Sequence, residues 1–305
     1  MDRVIITGIT GFLGSQIAEK LIEEGVTVIG LKRLTSDLWR CRAFIDKVEW
    51  VDLVDGYQEA LIKKKPNGLI HSAWMGVEAT DRDNWLMQAQ NVKFLIELLE
   101  IAKQVKLKKI IFLGSQAEYG MINGKTSETS VPISTTAYGC IKLACLQILK
   151  TFSELNDLQW IWLRIFSLFG ERENDNWLIP SIIKKMQGGS EMDFTKGDQR
   201  YAYLYIKDFM EIVSRVFHMD INSGIYNVSG LEVRTLRSII TTIRDLVKPE
   251  FKLNFGAIPY RPHQSMHIEG DMTKLTSQIG QVNFTNFNVA LEHTINSYLN
   301  QSKSL

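Results

Sequence analysis

Through residues 1–170, short continuous apolar runs alternate with longer amphipathic stretches. The runs are Val4 to Thr7, Val26 to Leu31, Val48 to Val51, Gly68 to His71, Lys109 to Leu113 and Trp160 to Ile165. Apolar runs of this length without polar alternation predict strands covered on both faces, the situation of a parallel sheet. Between them Leu13, Ile17, Leu21 and Ile22 recur at helical spacing, as do Phe94, Leu95, Leu98, Leu99 and Ala102, and Gly25 is the expected stop of the first helix. Strands alternating with helices, joined by right-handed crossovers, predict an α/β fold with a doubly wound parallel sheet.

The texture changes after Gly170. Polar ERENDN leads to a helix expected near Pro180, Gly188-Gly189 ends it, and the aromatic run at 201–206 reads as a strand. GIYNVSG at 224–230 reads as a buried strand able to rejoin the first sheet, 234–247 as a helix, and PYRPHQS at 259–265 as a loop imposed by Pro259 and Pro262. No internal repeat or low-complexity linker interrupts this pattern.

Composition narrows the function classes. A chain of 305 residues, 45% of them hydrophobic, fills one large core or two smaller ones. Lys plus Arg is 35 against 34 for Asp plus Glu, so no broad basic surface is offered to nucleic acid. Three scattered cysteines, Cys41, Cys140 and Cys145, do not form a disulfide framework and point to a reducing compartment. Residues 4–14 lack a basic start and are interrupted by Gly8, Gly11 and Gly14, and WIWLRIFSLF carries Arg164 in its middle. A soluble, cytoplasmic protein without a membrane partner is expected.

T7-G8-I9-T10-G11-F12-L13-G14 follows a predicted strand and opens a predicted helix. In that context Gly8 allows a tight turn, Gly11 lets backbone approach a pyrophosphate and Gly14 lets helix and strand pack closely, while backbone amides face the anion. Thr10, Phe12 and Leu13 belong to the same cofactor-binding loop. The second strand ends at Lys32 and Arg33, where an NAD enzyme usually presents a carboxylate to the ribose. Two cations there suit a 2'-phosphate, Arg33 by its fork and Lys32 as a point charge, and predict NADP(H). Asp52 is positioned to accept from the adenine amino group, with Leu53 against the ring.

Y138-G139-C140-I141-K142 places a phenol and an ammonium one helical turn apart. A nearby ammonium stabilises the phenolate and lets Tyr138 exchange a proton with an alcohol or carbonyl. A second Tyr-x-x-x-Lys match, Tyr203 and Lys207, falls in the strand-like run and is expected to diverge. Ser115, in FLGSQAEYG beyond a strand, is placed to donate to a substrate carbonyl. His263 and His267 with Glu269 have a spacing that serves a metal on a helix, but Pro262 breaks that geometry, and no metal site is expected. The sequon Asn227-Val228-Ser229 falls in a predicted buried strand. Trp74 is expected at the pocket and Trp85 in packing.

With TGxxGxxG, SxxxYG, YxxxK and LRxxxxxG in order, the sequence resembles the extended short-chain dehydrogenase/reductases of the NAD-dependent epimerase/dehydratase family, which act mostly on nucleotide sugars. The resemblance implies a Rossmann-like sheet with a smaller, discontinuous α/β substrate-binding domain. Residues 1–170, rejoined near 205–230, would bind the dinucleotide, and 171–204 with 231–305 the nucleotide-diphosphate sugar. It implies Ser115, Tyr138 and Lys142 as the catalytic trio, with Tyr138 and Lys142 also touching cofactor, and Ser72 and Ala73 beneath it after His71. Trp74, Ser115, Gln116, Ser167, Arg200 and Arg261 would meet the substrate, although Ser167 replaces the commoner asparagine and the Gly-Asp usual after Pro262 is absent.

Gln116 and Ala117 stand where family dehydratases carry an Asp-Glu pair. Ala117 and Trp177 stand where GDP-fucose synthase has its Cys and His. Dehydration and double epimerisation thus lose their proton-transfer groups. The remaining expectations are NADPH-dependent reduction of a keto group, with C4 the favoured position, or C4 epimerisation with retained cofactor. A non-catalytic NADP-binding regulator or scaffold is the third reading. The resemblance further implies a homodimer formed by the helix after residue 90 and the tyrosine helix.

Overall fold

The computed structural model describes residues 3–261 and 264–301. Seven strands form one parallel sheet. The first five in chain order are β1 (Arg3–Thr7), β2 (Thr27–Lys32), β3 (Val48–Asp52), β4 (Gly68–His71) and β5 (Lys109–Ser115). The strands Gln159–Ile165 and Gly224–Val228 complete it, and the spatial order from one edge is Gly224–Val228, Gln159–Ile165, β5, β4, β1, β2, β3. The order reverses between β1 and β4, which leaves a crevice beyond their carboxyl ends. The chain has a Rossmann-like, doubly wound architecture.

Side-chain alternation builds a core on each face of the sheet. On β1, Val4 and Ile6 enter one apolar cluster while Ile5 enters the other; on Gln159–Ile165, Ile161 and Leu163 go one way and Trp160 and Trp162 the other. Helices α1 (Phe12–Glu23), α2 (Tyr57–Lys63), α3 (Trp85–Val105) and α4 (Ala137–Leu155) are the crossovers. From α3 the side chains Leu95, Leu98, Leu99 and Ala102 are buried against the sheet, the 3.6-residue stripe visible in the sequence.

Beyond the sheet, a four-stranded sheet is ordered Val233–Thr235, Arg200–Ala202, His267–Gly270, Asn123–Thr126. Asn123–Thr126 comes from the amino-terminal segment yet pairs with His267–Gly270 near the carboxyl end. The segment after β5, which begins just past Ser115, is thereby tied to both sheets. The aromatic run at 201–206 is not one strand. Arg200–Ala202 and Leu204–Tyr205 are separate short strands, and helix α6 (Ile206–His218) begins at Ile206, after α5 (Leu178–Gly188). Asp208 in the first turn of α6 accepts from Thr285 at its backbone N, 3.0 Å, and Oγ1, 2.7 Å, which fixes a helix start there. Tyr203 and Lys207 accordingly part company, with Tyr203 half-buried between the short strands and Lys207 exposed on α6. No helix among the described residues is long and apolar enough to cross a membrane.

Candidate active site

The glycine loop is shaped by contacts that exclude side chains. Gly8 has φ +66°, and a Cβ there would lie 2.6 Å from the Ala73 nitrogen; a Cβ on Gly14 would lie 2.2 Å from the Gly8 carbonyl oxygen. Gly11, whose N–H donates to the Gly8 carbonyl at 2.9 Å, is the N-cap of α1 and provides no side-chain cap. The first amides of α1 therefore face the crevice uncapped, next to Thr10, Phe12 and Leu13, and fit the pyrophosphate of a dinucleotide.

Beside it, Thr7 Oγ1 accepts from the Ala73 N–H at 3.2 Å and lies 2.8 Å from His71 Nδ1. Burial pushes His71 down to about 3, with Lys142 adding to the shift, so the ring is neutral at physiological pH. This network holds Ser72 and Ala73 against the glycine loop.

Lys32 and Asp52, which the sequence assigns to opposite ends of an adenosine, are each other's partner. The β2–β3 register sets them side by side and they form an ion pair. Leu53 is partly exposed next to them, its N–H donating to the Lys32 carbonyl at 2.7 Å. Arg33 is exposed, and its backbone N–H donates to Ser36 Oγ at 3.2 Å.

Ser115 ends β5 and caps the short turn Gln116–Tyr119. Its backbone N–H donates to Glu118 Oε1 at 2.8 Å, and its Oγ accepts from the Ala117 N–H at 3.2 Å. Glu118 is fully buried and also accepts from Trp162 Nε1, at 2.9 Å, and Arg164 Nε, at 2.6 Å. Burial pushes this carboxyl up, while the Arg164 charge and the bonds donated by Ser115, Arg164 and Trp162 oppose the rise. Gly114 makes room, because a Cβ there would stand 2.1 Å from Trp162 Nε1. The Arg164 guanidinium lies 4.4 Å from the Tyr119 ring, whose hydroxyl donates to Asn227 Oδ1 at 2.8 Å. Glu118 belongs to none of the motifs that mark this site in the sequence, although S-Q-A-E is a capping-box signature. Asn227 of the sequon is wholly buried in this network.

Tyr138 stands in the first turn of α4, half-buried, and shares a hydrogen bond with the Ser115 side chain. Burial raises its phenol above the ordinary tyrosine range, while the Ser115 bond and the Arg82 charge oppose the rise. Lys142, one turn on along α4, shares its charge among several neighbours. Its Nζ donates to the Leu113 carbonyl at 2.7 Å and lies 3.7 Å from the centre of the Trp74 ring, against 5.7 Å from that of Tyr138. Burial lowers this ammonium to about 7.

The loop between β4 and α3 supplies a cation that the sequence reading overlooked. The Arg82 guanidinium carbon is 5.3 Å from the Tyr138 ring centre and 5.9 Å from that of Trp177. No sequence pattern marks an arginine in such a loop. Trp74 meets Tyr138 edge-to-face at 5.8 Å and donates from Nε1 to Gln88 Oε1 at 2.9 Å. Trp85 is 58% exposed, contrary to the packing role expected of it, because it opens α3 outside the apolar stripe.

Gln116 and Ser167 are half-buried near the same strand ends, and the Ser167 carbonyl accepts from the Leu204 N–H at 2.9 Å. Arg200 is exposed on its short strand. The Arg261 charge acts on Tyr201, the neighbouring residue whose side chain leaves the opposite face. Pro262 and His263 lie outside the described residues. His267 Nε2 is 3.0 Å from Glu269 Oε2 within one strand, and the described residues contain no cluster of three metal-ligating side chains.

Residues 4–229 match the family model described as NAD dependent epimerase/dehydratase family. Among curated proteins, CDP-abequose synthase of Salmonella muenchen is 27% identical over 290 residues, 90% of each chain. The dTDP-6-deoxy-L-talose 4-dehydrogenase (NAD(+)) of Aggregatibacter actinomycetemcomitans is 24% identical over 276 residues, covering 88% of this chain and 99% of that one. The crystal structure of UDP-glucose 4-epimerase from Thermotoga maritima, solved with UDP-glucose, superposes with a TM-score of 0.88 at 19% identity, over 98% of this chain and 99% of that one.

The buried pair generates a stability prediction. Glu118→Ala should lower the unfolding free energy by about 3–5 kcal/mol, because Arg164 is left charged and unpaired in the core. In urea unfolding, the double variant Glu118→Leu with Arg164→Met should cost less than the two single changes together. Additive losses would show that the pair is not coupled.

Proposed function

This chain belongs to the NAD-dependent epimerase/dehydratase family, and on that premise we propose that it is an NADPH-dependent reductase of a keto group, at C4, on a nucleotide-linked deoxysugar. The observation that carries the reading is the meeting of Ser115 and Tyr138 at the crevice beside the glycine loop. When bound there, a nicotinamide cofactor supplies or accepts hydride. Gly8, Thr10, Gly11, Phe12, Leu13 and Gly14 hold its pyrophosphate, with Ser72 and Ala73 beneath. Ser115 donates a hydrogen bond to the substrate carbonyl oxygen and Tyr138 gives that oxygen its proton. A phenol held above the usual range by burial is protonated near neutral pH, the state a reduction needs at its start. Lys142, whose Nζ donates to the Leu113 carbonyl beside Tyr138, is assigned to the ribose and the proton network.

Gln116 and Ala117 offer no carboxylate for dehydration, which leaves hydride chemistry assisted by tyrosine. The name of the talose dehydrogenase describes C4 redox chemistry on a dTDP-deoxysugar, and that of the abequose synthase a CDP-linked sugar; both favour this substrate class. Trp74, Gln116, Ser167, Arg200 and Arg261 are assigned to the substrate. Residues 1–170 with 205–230 serve the dinucleotide, and 171–204 with 231–305 the sugar nucleotide. We further assign a homodimer through α3 and α4 and a reducing, cytoplasmic setting consistent with three free cysteines. C4 epimerisation is the second reading, because the same Ser115 and Tyr138 serve proton transfer in either direction.

A panel of 4-keto-6-deoxy nucleotide sugars should oxidise NADPH stoichiometrically, whereas interconversion of hydroxyl epimers without net cofactor consumption would establish the second reading. Tyr138→Phe should bind cofactor but lose about 10²-fold or more in turnover. Near-normal turnover would defeat both readings.

Cofactor choice rests on Arg33, since Lys32 already neutralises Asp52 and no lone carboxylate remains at that pair to repel a 2'-phosphate. Fluorescence titration should show tighter NADPH than NADH binding, and Arg33→Ala should narrow the gap by roughly tenfold. Equal affinities in the parent protein would refute this preference. Light scattering should give twice the chain mass, and a monomer at working concentration would remove the dimer.

A further inference from the structure

We propose that Arg82 is a second cation of the proton-transfer site, holding Tyr138 in place and stabilising its phenolate across the ring face. The inference rests on the reading of Tyr138 as proton donor and adds a group that the family motifs leave out. Three observations carry it.

The first is placement. The Arg82 guanidinium carbon is 5.3 Å from the Tyr138 ring centre, nearer than Lys142 Nζ at 5.7 Å. Trp177, from the segment that opens α5, flanks the guanidinium at 5.9 Å. An arginine between two aromatic faces is confined in orientation while its planar charge stays available.

The second is anchoring. Arg82 Nε donates to the Val77 carbonyl at 3.1 Å, and the Arg82 carbonyl accepts from the Tyr138 N–H at 2.8 Å. Asp83 Oδ1 accepts from the Ala137 N–H at 3.1 Å, and Thr136 Oγ1 from the Gly139 N–H at 3.2 Å. The loop and the Thr136 cap together satisfy opening amides of the tyrosine helix, so the distance from Arg82 to Tyr138 is set by backbone as well as by side chain.

The third is the division of charge around the phenol. Ser115 and Glu118 face it from the segment after β5, Lys142 from its own helix and Arg82 from the β4–α3 loop. Lys142 is shared with the Leu113 carbonyl and the Trp74 ring, and burial lowers it to about 7, so its charge is lost as the pH rises above neutrality. A guanidinium keeps its charge throughout. Against burial and the Glu118 carboxylate, which both raise the phenol, Arg82 is the lasting opposing cation.

The test reads the Tyr138 titration directly. Removing the cation should raise it, so in NADPH oxidation with a 4-keto-6-deoxy nucleotide sugar the alkaline limb of turnover should move up by about one pH unit in Arg82→Met. Arg82→Lys should hold the limb near its parent position, and Arg82→Gln repeats the test if the methionine variant does not fold. The same shift should appear without substrate. The tyrosinate absorbance assigned to Tyr138, taken as the spectrum with Tyr138 minus that with Tyr138→Phe, should titrate at higher pH in the Arg82→Met background. An unmoved limb and an unmoved tyrosinate titration would overturn the proposal. Normal turnover in Tyr138→Phe would instead defeat the reading of the reaction, leaving the absorbance titration to decide on Arg82.

Discussion

The buried ion pair between Glu118 and Arg164 constrains the site more than any other contact. Arg164 is buried on a strand paired on both sides, where a charge is costly unless it is matched, and Glu118 meets it at 2.6 Å from the turn that follows β5. The same carboxylate takes the Ser115 N–H and the Trp162 indole N–H. Satisfying the arginine therefore fixes the turn, and fixing the turn sets Ser115 at the crevice. Through Tyr119 and Asn227 the network continues to the outer strand of the sheet and, by an Asn227 Nδ2 bond to the Thr126 carbonyl, to the second sheet. Replacing the pair by apolar groups need not unfold the protein, so its value lies in where it puts the serine.

Tyr138 is placed by a different device. Its helix begins at the β4–α3 loop, and β4 also carries the His71 and Thr7 contacts that hold Ser72 and Ala73 to the glycine loop. The His71 network and the Arg82 loop thus lie at the same carboxyl end of β4. Steric exclusion at Gly8 and Gly14 keeps that junction closed, since any Cβ would strike backbone. The serine and the tyrosine come from separate supports that converge at one point, the arrangement that the proposed reduction needs.

Local patterns carried much of this in the sequence. Doubly buried strands, the α1 and α3 stripes and the glycine loop depend on residues close in the chain, and their spacing exposes them. Ser115 to Glu118 was also legible as a capping box, but the partners that make Glu118 important, Trp162 and Arg164, come from another strand. Lys32 and Asp52 were each assigned a ligand because their pairing depends on strand register across 20 residues. For Lys142, helical periodicity gives the face but not the torsions that carry Nζ to the Leu113 carbonyl. Arg82 lies in a loop, where no period reveals which side chain turns inward.

The most direct test of a hydride delivered beside Tyr138 follows the hydride itself. With the cofactor deuterated at its transferable position and a 4-keto-6-deoxy nucleotide sugar as acceptor, mass and proton spectra of the product should place one deuterium on the former carbonyl carbon. Each cofactor oxidised should correspond to one product molecule. Product formed without deuterium at that carbon would contradict the account.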